Sequence, residues 1–375
     1  MIYADNAATT KLDPDALEAA IPFLTEEYGN ASQSYFFAKP AKKAINDARE
    51  IIADCIEAEP EEIYFTSGGT ESDNWAIKSS IFSGEEKRTT ITSEIEHHAI
   101  LNTCATIERL GFPVVYLPVT DEGIVQPEEL ETYITDRTRL ISIMMANNEI
   151  GTIEPVAELA KIAHEHGALF HTDAVQAVGH IPIDVKKLGI DMLSASAHKF
   201  GGMKGSGFLY IRKGVPLSSF ADGGSQEHGR RAGTENVAAI VAMAVALKKS
   251  CSHMEETTQK LCKLNQIFQD TLKASGIDYR INGGCNRLPG NTNISIKGAE
   301  GEMLLHRMDL KGICISTGSA CDSVNTRVSH VIKAIHVPEE YAEGTIRVTF
   351  GAENTEEEAV TIAESLVGIL KTMQL

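Results

Sequence analysis

The chain has 375 residues, 43% hydrophobic and 23% charged, a balance that can bury a large core and excludes a disordered chain. Its 34 basic against 52 acidic side chains leave a formal net charge of -18, which repels nucleic-acid phosphates and anionic membranes, so neither is expected as a partner. The N-terminal MIYADNAATTKLD has no basic leader or apolar core, and no stretch reaches the roughly 18 uninterrupted apolar residues of a membrane span. A cytoplasmic protein is the expectation. Seven cysteines without a C-x-x-C pair argue against a disulfide framework and a zinc knuckle, and most read as small buried hydrophobes.

In chain order, Asp13 and Pro14 predict a capped helix start, and Ala41, Ala44, Ile45, Ala48, Ile52, Cys55 and Ile56 fall on one face of a second helix. Seven short apolar runs follow at 63–65, 89–93, 114–117, 140–146, 168–172, 192–195 and 207–211. They alternate with helical segments such as 155–166, which Gly167 ends. This alternation predicts an α/β fold, a mostly parallel seven-stranded sheet between helices, with its ligand beyond the carboxyl ends of the strands. A long helical stretch over 236–275 then leads to strand 293–297, helix 300–310, strand 313–316, a helix, strand 345–350 and a terminal helix. That pattern predicts a smaller α+β domain. We expect a large domain over 13–255 and a small one made of 1–12 and 256–375.

The chemistry-bearing residues gather just after the apolar runs. Thr66-Ser67-Gly68-Gly69-Thr70-Glu71-Ser72 opens a helix with two glycines and hydroxyls, which aims backbone N–H groups at a phosphate, although the same residues make a plain capping box. Glu96-His97-His98 puts a histidine at a strand end, either over a ligand ring or merely at a helix start. Asp173, with Gln176 three residues on, offers a carboxylate to a pyridine nitrogen, or else a helix N-cap. Ser196-Ala197-His198-Lys199 supplies an amine that can form a Schiff base when neutral. Phosphate cradle, ring-nitrogen partner and imine-forming lysine, in this order, are what pyridoxal phosphate needs.

Farther on, Gly318-Ser319-Ala320-Cys321-Asp322 places a cysteine in a small polar loop between a strand and a helix, which raises Cys321 above the other six. Asp322 beside it disfavours the thiolate. Arg347, inside the apolar run 345–350, either grips an α-carboxylate or lies on the solvent face of an alternating strand.

Together with Tyr3-Ala4-Asp5-Asn6-Ala7-Ala8-Thr9-Thr10, Asn147-Asn148-Glu149-Ile150-Gly151-Thr152, Arg231-Ala232-Gly233-Thr234 and Gly344-Thr345-Ile346-Arg347, these segments resemble the cysteine desulfurases. These are class-V, fold-type I pyridoxal-phosphate enzymes. The resemblance implies that Lys199 carries the cofactor, Asp173 pairs with its pyridine nitrogen, Gln176 meets its ring oxygen and His97 stacks on the ring and moves protons. It implies a phosphate site of Gly69, Thr70, Ser196 and His198, with Thr234 reaching in from the second subunit of a homodimer. Asn148, also near the cofactor, and Arg347 would bind the carboxylate of L-cysteine. Cys321 would take the sulfur as a persulfide and pass it to an acceptor protein for iron–sulfur or thio-cofactor synthesis, leaving L-alanine. No resident metal is implied, with Cys321 the one residue that could ligate an iron–sulfur cluster transiently. Selenocysteine lysis, or another lyase or aminotransferase reaction of the family, is the alternative. The chain departs from the family at 31–37 and 200–205, and in Gly69, where alanine is common.

Overall fold

In the computed structural model, which describes residues 1–83, 88–317 and 328–373, the seven apolar runs pair into one sheet. Its spatial order is Ile63–Thr66, Gly207–Ile211, Met192–Ser196, Leu169–Asp173, Thr138–Ser142, Thr89–Ser93 and Val114–Leu117. Gly207–Ile211 runs antiparallel to both neighbours, and the other pairs are parallel. Helices covering a sheet on both faces require strands without a polar alternation. Accordingly every residue of Ile63–Thr66, Met192–Ser196 and Gly207–Ile211 is buried.

The predicted start at Asp13 is a true cap: its carboxylate accepts from the Asp15 and Ala16 N–H groups at the head of helix Pro14–Thr25. The stretch expected to be one helix over 236–275 is two, Val237–Ser252 and Met254–Ala274, meeting at 71°. Ser252 Oγ donates to the Lys248 and Lys249 carbonyls and His253 Nδ1 to that of Lys249, alongside the His253 N–H, so side chains help satisfy the last carbonyls of the first helix. The two pieces also bury their apolar faces in different cores. Ala242, Met243 and Leu247 join the core beneath the large sheet. Leu261, Leu264, Phe268 and Leu272 join a second core with Ala4, Ile294, Ile346, Val348 and Leu366.

Around that second core, Asn291–Ile296 pairs antiparallel with Thr345–Thr349 on one side and with Tyr279–Ile281 on the other. Tyr279–Ile281 is too short and too exposed to show a period in the sequence. The N-terminus joins the same region. Ile2–Tyr3 lies parallel to Ile313–Cys314, and Asp5 bridges to Thr349. Among the described residues no single helix is long and apolar enough to cross a membrane.

Glu154 makes stability depend on pH. Its carboxyl is buried, one oxygen accepts from the Val125 N–H at 2.9 Å, and the other has no partner among the described residues. Burial pushes its pKa from 4.5 up to about 8, so the folded chain keeps a proton that the unfolded chain has already lost. Stability is therefore undiminished below the unfolded pKa and falls as pH rises toward the folded one. Glu154→Gln keeps an acceptor for Val125 and removes the ionisation. Its melting temperature should exceed that of the unsubstituted protein near pH 8, with the gap closing near pH 5. A gap that stays constant with pH would exclude a protonated Glu154.

Candidate active site

Three titratable groups meet at the carboxyl ends of the parallel strands. Asp173 ends Leu169–Asp173, and Lys199 ends the single turn Ala197–Lys199 that follows Met192–Ser196. The strands are adjacent, with Asp173 and Ser194 in register. Asp173 Oδ1 accepts from the Val175 N–H at 2.9 Å. Burial raises its pKa, and the neighbouring His97 and Lys199 oppose the rise. His97 caps helix His98–Arg109: its Nδ1 accepts from the Ala99 N–H at 3.1 Å. The ring proton is therefore on Nε2, and burial lowers the pKa, so the ring stays neutral at neutral pH. Helix start and ligand-facing histidine are thus compatible roles. Beneath this edge, His171 links Ser142 Oγ at 2.8 Å to Ser194 Oγ at 2.9 Å, and burial holds it neutral, with a pKa of about 3.

The glycine turn leads into helix Gly69–Phe82, whose cap residue Gly68 has φ 147° and no side chain to cap with. The first-turn N–H groups are thereby open to an anion. A Cβ on Gly68 would lie 3.5 Å from Ser196 Oγ, so that hydroxyl sits over the turn. Glu71 reaches back to the Ser67 N–H at 3.0 Å and pairs with Arg231 at 2.8 Å, but the cap residue is Gly68, whose N–H goes to Thr66 Oγ1, so the plain capping box is not formed. Thr70 is exposed on the first turn. Thr234 is exposed on the wall of a cavity of about 160 Å³ that it shares with Ser67, Ser206 and Arg231.

The N-terminal segment crosses this site, which no sequence argument assigned. Lys199 Nζ donates to the Ala7 carbonyl at 2.5 Å and the Ala8 carbonyl at 2.9 Å. Gln176 Nε2 donates to the same Ala7 carbonyl at 3.0 Å. His198 Nδ1 meets the Thr9 hydroxyl at 3.1 Å, with burial and then Lys199 lowering the imidazole pKa to about 4.

Arg347 is 2% exposed, which removes the solvent-face alternative. Its Nη1 donates to the Asn148 carbonyl and its Nη2 to Asp5 Oδ1, each at 2.7 Å. Asn148 is presented by a turn that the Asn147 side chain shapes, accepting from the Glu149 and Ile150 N–H groups and donating to the Ile95 carbonyl. Cys321 lies outside the described residues.

An amine, a buried carboxylate, a neutral imidazole and an uncapped helix start on one sheet edge fit the ring, nitrogen and phosphate of pyridoxal phosphate. Residues 2–361 match the family described as aminotransferase class-V. A protein from Methanosarcina thermophila described as cysteine desulfurase IscS is 49% identical, covering 100% of this chain and 93% of its own. Among solved structures, a NifS-like protein superposes with TM-score 0.93 at 38% identity over 99% of both chains. SspA in complex with cysteine does so with TM-score 0.83 at 36% identity, over 93% of this chain and 99% of its own.

The chain belongs to the class-V aminotransferase family. Within that family it falls among the cysteine desulfurases, which are pyridoxal-phosphate enzymes, and its fold is the expected fold-type I α/β architecture.

The unusual Gly69 of this class-V chain has a local cause. A Cβ there would lie 2.5 Å from Val175 Cγ2, so Val175 fills the space that a residue-69 methyl would take. Gly69→Ala should cost about 1–3 kcal/mol through overpacking and weaken cofactor binding at the displaced turn. Adding Val175→Ala should restore both. Thermal melts and pyridoxal-phosphate titrations of the single and double variants decide it; a double variant no better than the single would show that the two positions are not complementary.

Proposed function

We propose that this desulfurase converts L-cysteine to L-alanine and passes the sulfur, as a persulfide on Cys321, to an acceptor protein. The observation that carries the reading is the meeting of Asp173, His97 and Lys199 at one strand edge, beside a buried arginine tied to Asn148. Gly69, Thr70, Ser196 and His198 would hold the cofactor phosphate, Asp173 its pyridine nitrogen, Gln176 its ring oxygen, and Lys199 its reactive carbon. When bound, pyridoxal phosphate supplies an electron sink for the charge left at Cα. Arg347 and Asn148 hold the substrate carboxylate through charge-assisted hydrogen bonds. Lys199 accepts the Cα proton, and the Nε2–H of neutral His97 serves as a proton donor within the same edge. The Cys321 thiolate takes the substrate sulfur, forming the S–S bond of the persulfide as the C–S bond breaks.

The working unit is a homodimer in which Thr234 completes the partner's phosphate site. Leu17, Ile21 and Leu24 on one face of helix Pro14–Thr25, with Tyr28 and Phe36, are exposed, which supports a second copy covering this surface. Residues 13–255 form the cofactor domain, with 1–12 and 256–375 forming the small domain that carries Cys321, in a cytoplasmic enzyme. The test is product analysis with pyridoxal phosphate, L-cysteine and dithiothreitol. Sulfide and L-alanine should appear in equal amounts, and sulfide accompanied by pyruvate instead of alanine would sink the reading.

A further inference from the structure

Arg347 is buried with two of its three nitrogens already engaged, one by a carbonyl and one by a carboxylate of its own chain. Nη1 donates to Asn148, Nη2 donates to Asp5 Oδ1, and Nε is buried with no partner among the described residues. Asp5 does not reach this position by chance of rotamer. Its backbone bridges to Thr349, two residues along the strand from Arg347, and its carbonyl accepts from the Tyr3 hydroxyl at 3.0 Å. On the following residues, the Asn6 amide donates to the Thr349 carbonyl at 2.9 Å and the Ala7 N–H donates to Thr349 Oγ1 at 3.0 Å. The carboxylate is therefore fixed against the guanidinium from its own side.

We propose that Asp5 is the resident counter-ion of the substrate-carboxylate grip, a positioning residue that holds one nitrogen of the Arg347 fork and leaves the Nε edge for an amino-acid carboxylate. The inference rests on the reading of Arg347 as that grip. A guanidinium buried without compensation is costly and would take any small carboxylate tightly. With Asp5 in place, substrate and product meet an arginine already partly neutralised. The pairing keeps the fork oriented and lets L-alanine leave.

The test compares the pyridoxal-phosphate-loaded enzyme with its Asp5→Asn variant, which keeps the shape and loses the charge. L-alanine and acetate should each inhibit Asp5→Asn at about tenfold lower concentration, the KM for L-cysteine should fall, and kcat should fall as the product is held. Acetate should also raise the melting temperature of Asp5→Asn more than that of the unsubstituted enzyme. Asp5→Ser, smaller but equally uncharged, should move the inhibition constants in the same direction, so the outcome does not hang on one variant. A merely structural Asp5 would lower the melting temperature and leave both inhibition constants unchanged, which would overturn the proposal. Arg347→Gln separates the two failures. If it still binds L-cysteine and L-alanine normally, the grip itself is misread; if it loses both while Asp5→Asn inhibits normally, only the counter-ion role is wrong.

Discussion

Lys199→Ala should release sulfide from L-cysteine at least roughly 10³-fold more slowly, because in the proposed function one side chain supplies both the covalent attachment of the cofactor and the base for the Cα proton. Borohydride should fix the cofactor to the unsubstituted protein and fail to do so in the variant. Lys199→Arg should give no rescue, since a guanidinium stays protonated at any working pH and is neither nucleophile nor base. The variant must be shown to fold, because Lys199 Nζ also ties down the Ala7 and Ala8 carbonyls. Losing those bonds should cost the cofactor-free protein about 1–3 kcal/mol, a change visible in a melt and far too small to explain the rate. A Lys199→Ala protein that kept a tenth of the activity would remove Lys199 from the mechanism.

Cys321→Ala should retain the cofactor and its colour while losing at least roughly 100-fold in cysteine-dependent sulfide release, because in the proposed function the sulfur then has no nucleophile to receive it. Mass spectrometry after incubation with L-cysteine and no reductant should find residue 321 one sulfur atom heavier in the unsubstituted protein. The remaining cysteines provide the controls. Cys104 is buried and burial pushes its thiol up to about 12, so it supplies no thiolate. Cys262 and Cys285 are exposed, and alanine at either should leave the rate unchanged. The described residues on either side of the Cys321 segment are attached to the site. Ser316 exchanges two backbone hydrogen bonds with Arg347, at 2.7 and 3.0 Å. Ser329 Oγ donates to Glu149 at 2.9 Å, and His330 Nε2 donates to the Glu96 carbonyl at 3.0 Å. If Cys321→Ala released sulfide at the full rate, the persulfide step would belong elsewhere.

Much of the site was legible because the residues concerned combine an uncommon chemical type with a topologically fixed place. Asp173 and Lys199 follow apolar runs whose periodicity makes them strands, and the carboxyl ends of parallel strands share one edge. The order of glycine turn, histidine, aspartate and lysine could be read without knowing any distance. His97 was legible as a type and a place, but its neutral tautomer was not, since that depends on the Ala99 N–H and on burial.

Other features depend on contacts between residues hundreds of positions apart. Every residue has a carbonyl, so nothing in the letters marks Ala7 and Ala8 as the acceptors for Lys199. Asp5 reads as one acid among many until folding lays it against Arg347, 342 residues away. The break at His253 is of the same kind: helical periodicity runs on through it, and only the separation of two cores explains why the chain turns there. The sequence by itself determined the sheet, the cofactor chemistry and the family, because these follow from local periodicity and from residue types in a set order. Tertiary structure alone decided that Arg347 is buried, that Asp5 already holds part of it, and that Val175 occupies the space Gly69 leaves. Those facts depend on packing and charge between distant segments, which no local pattern encodes.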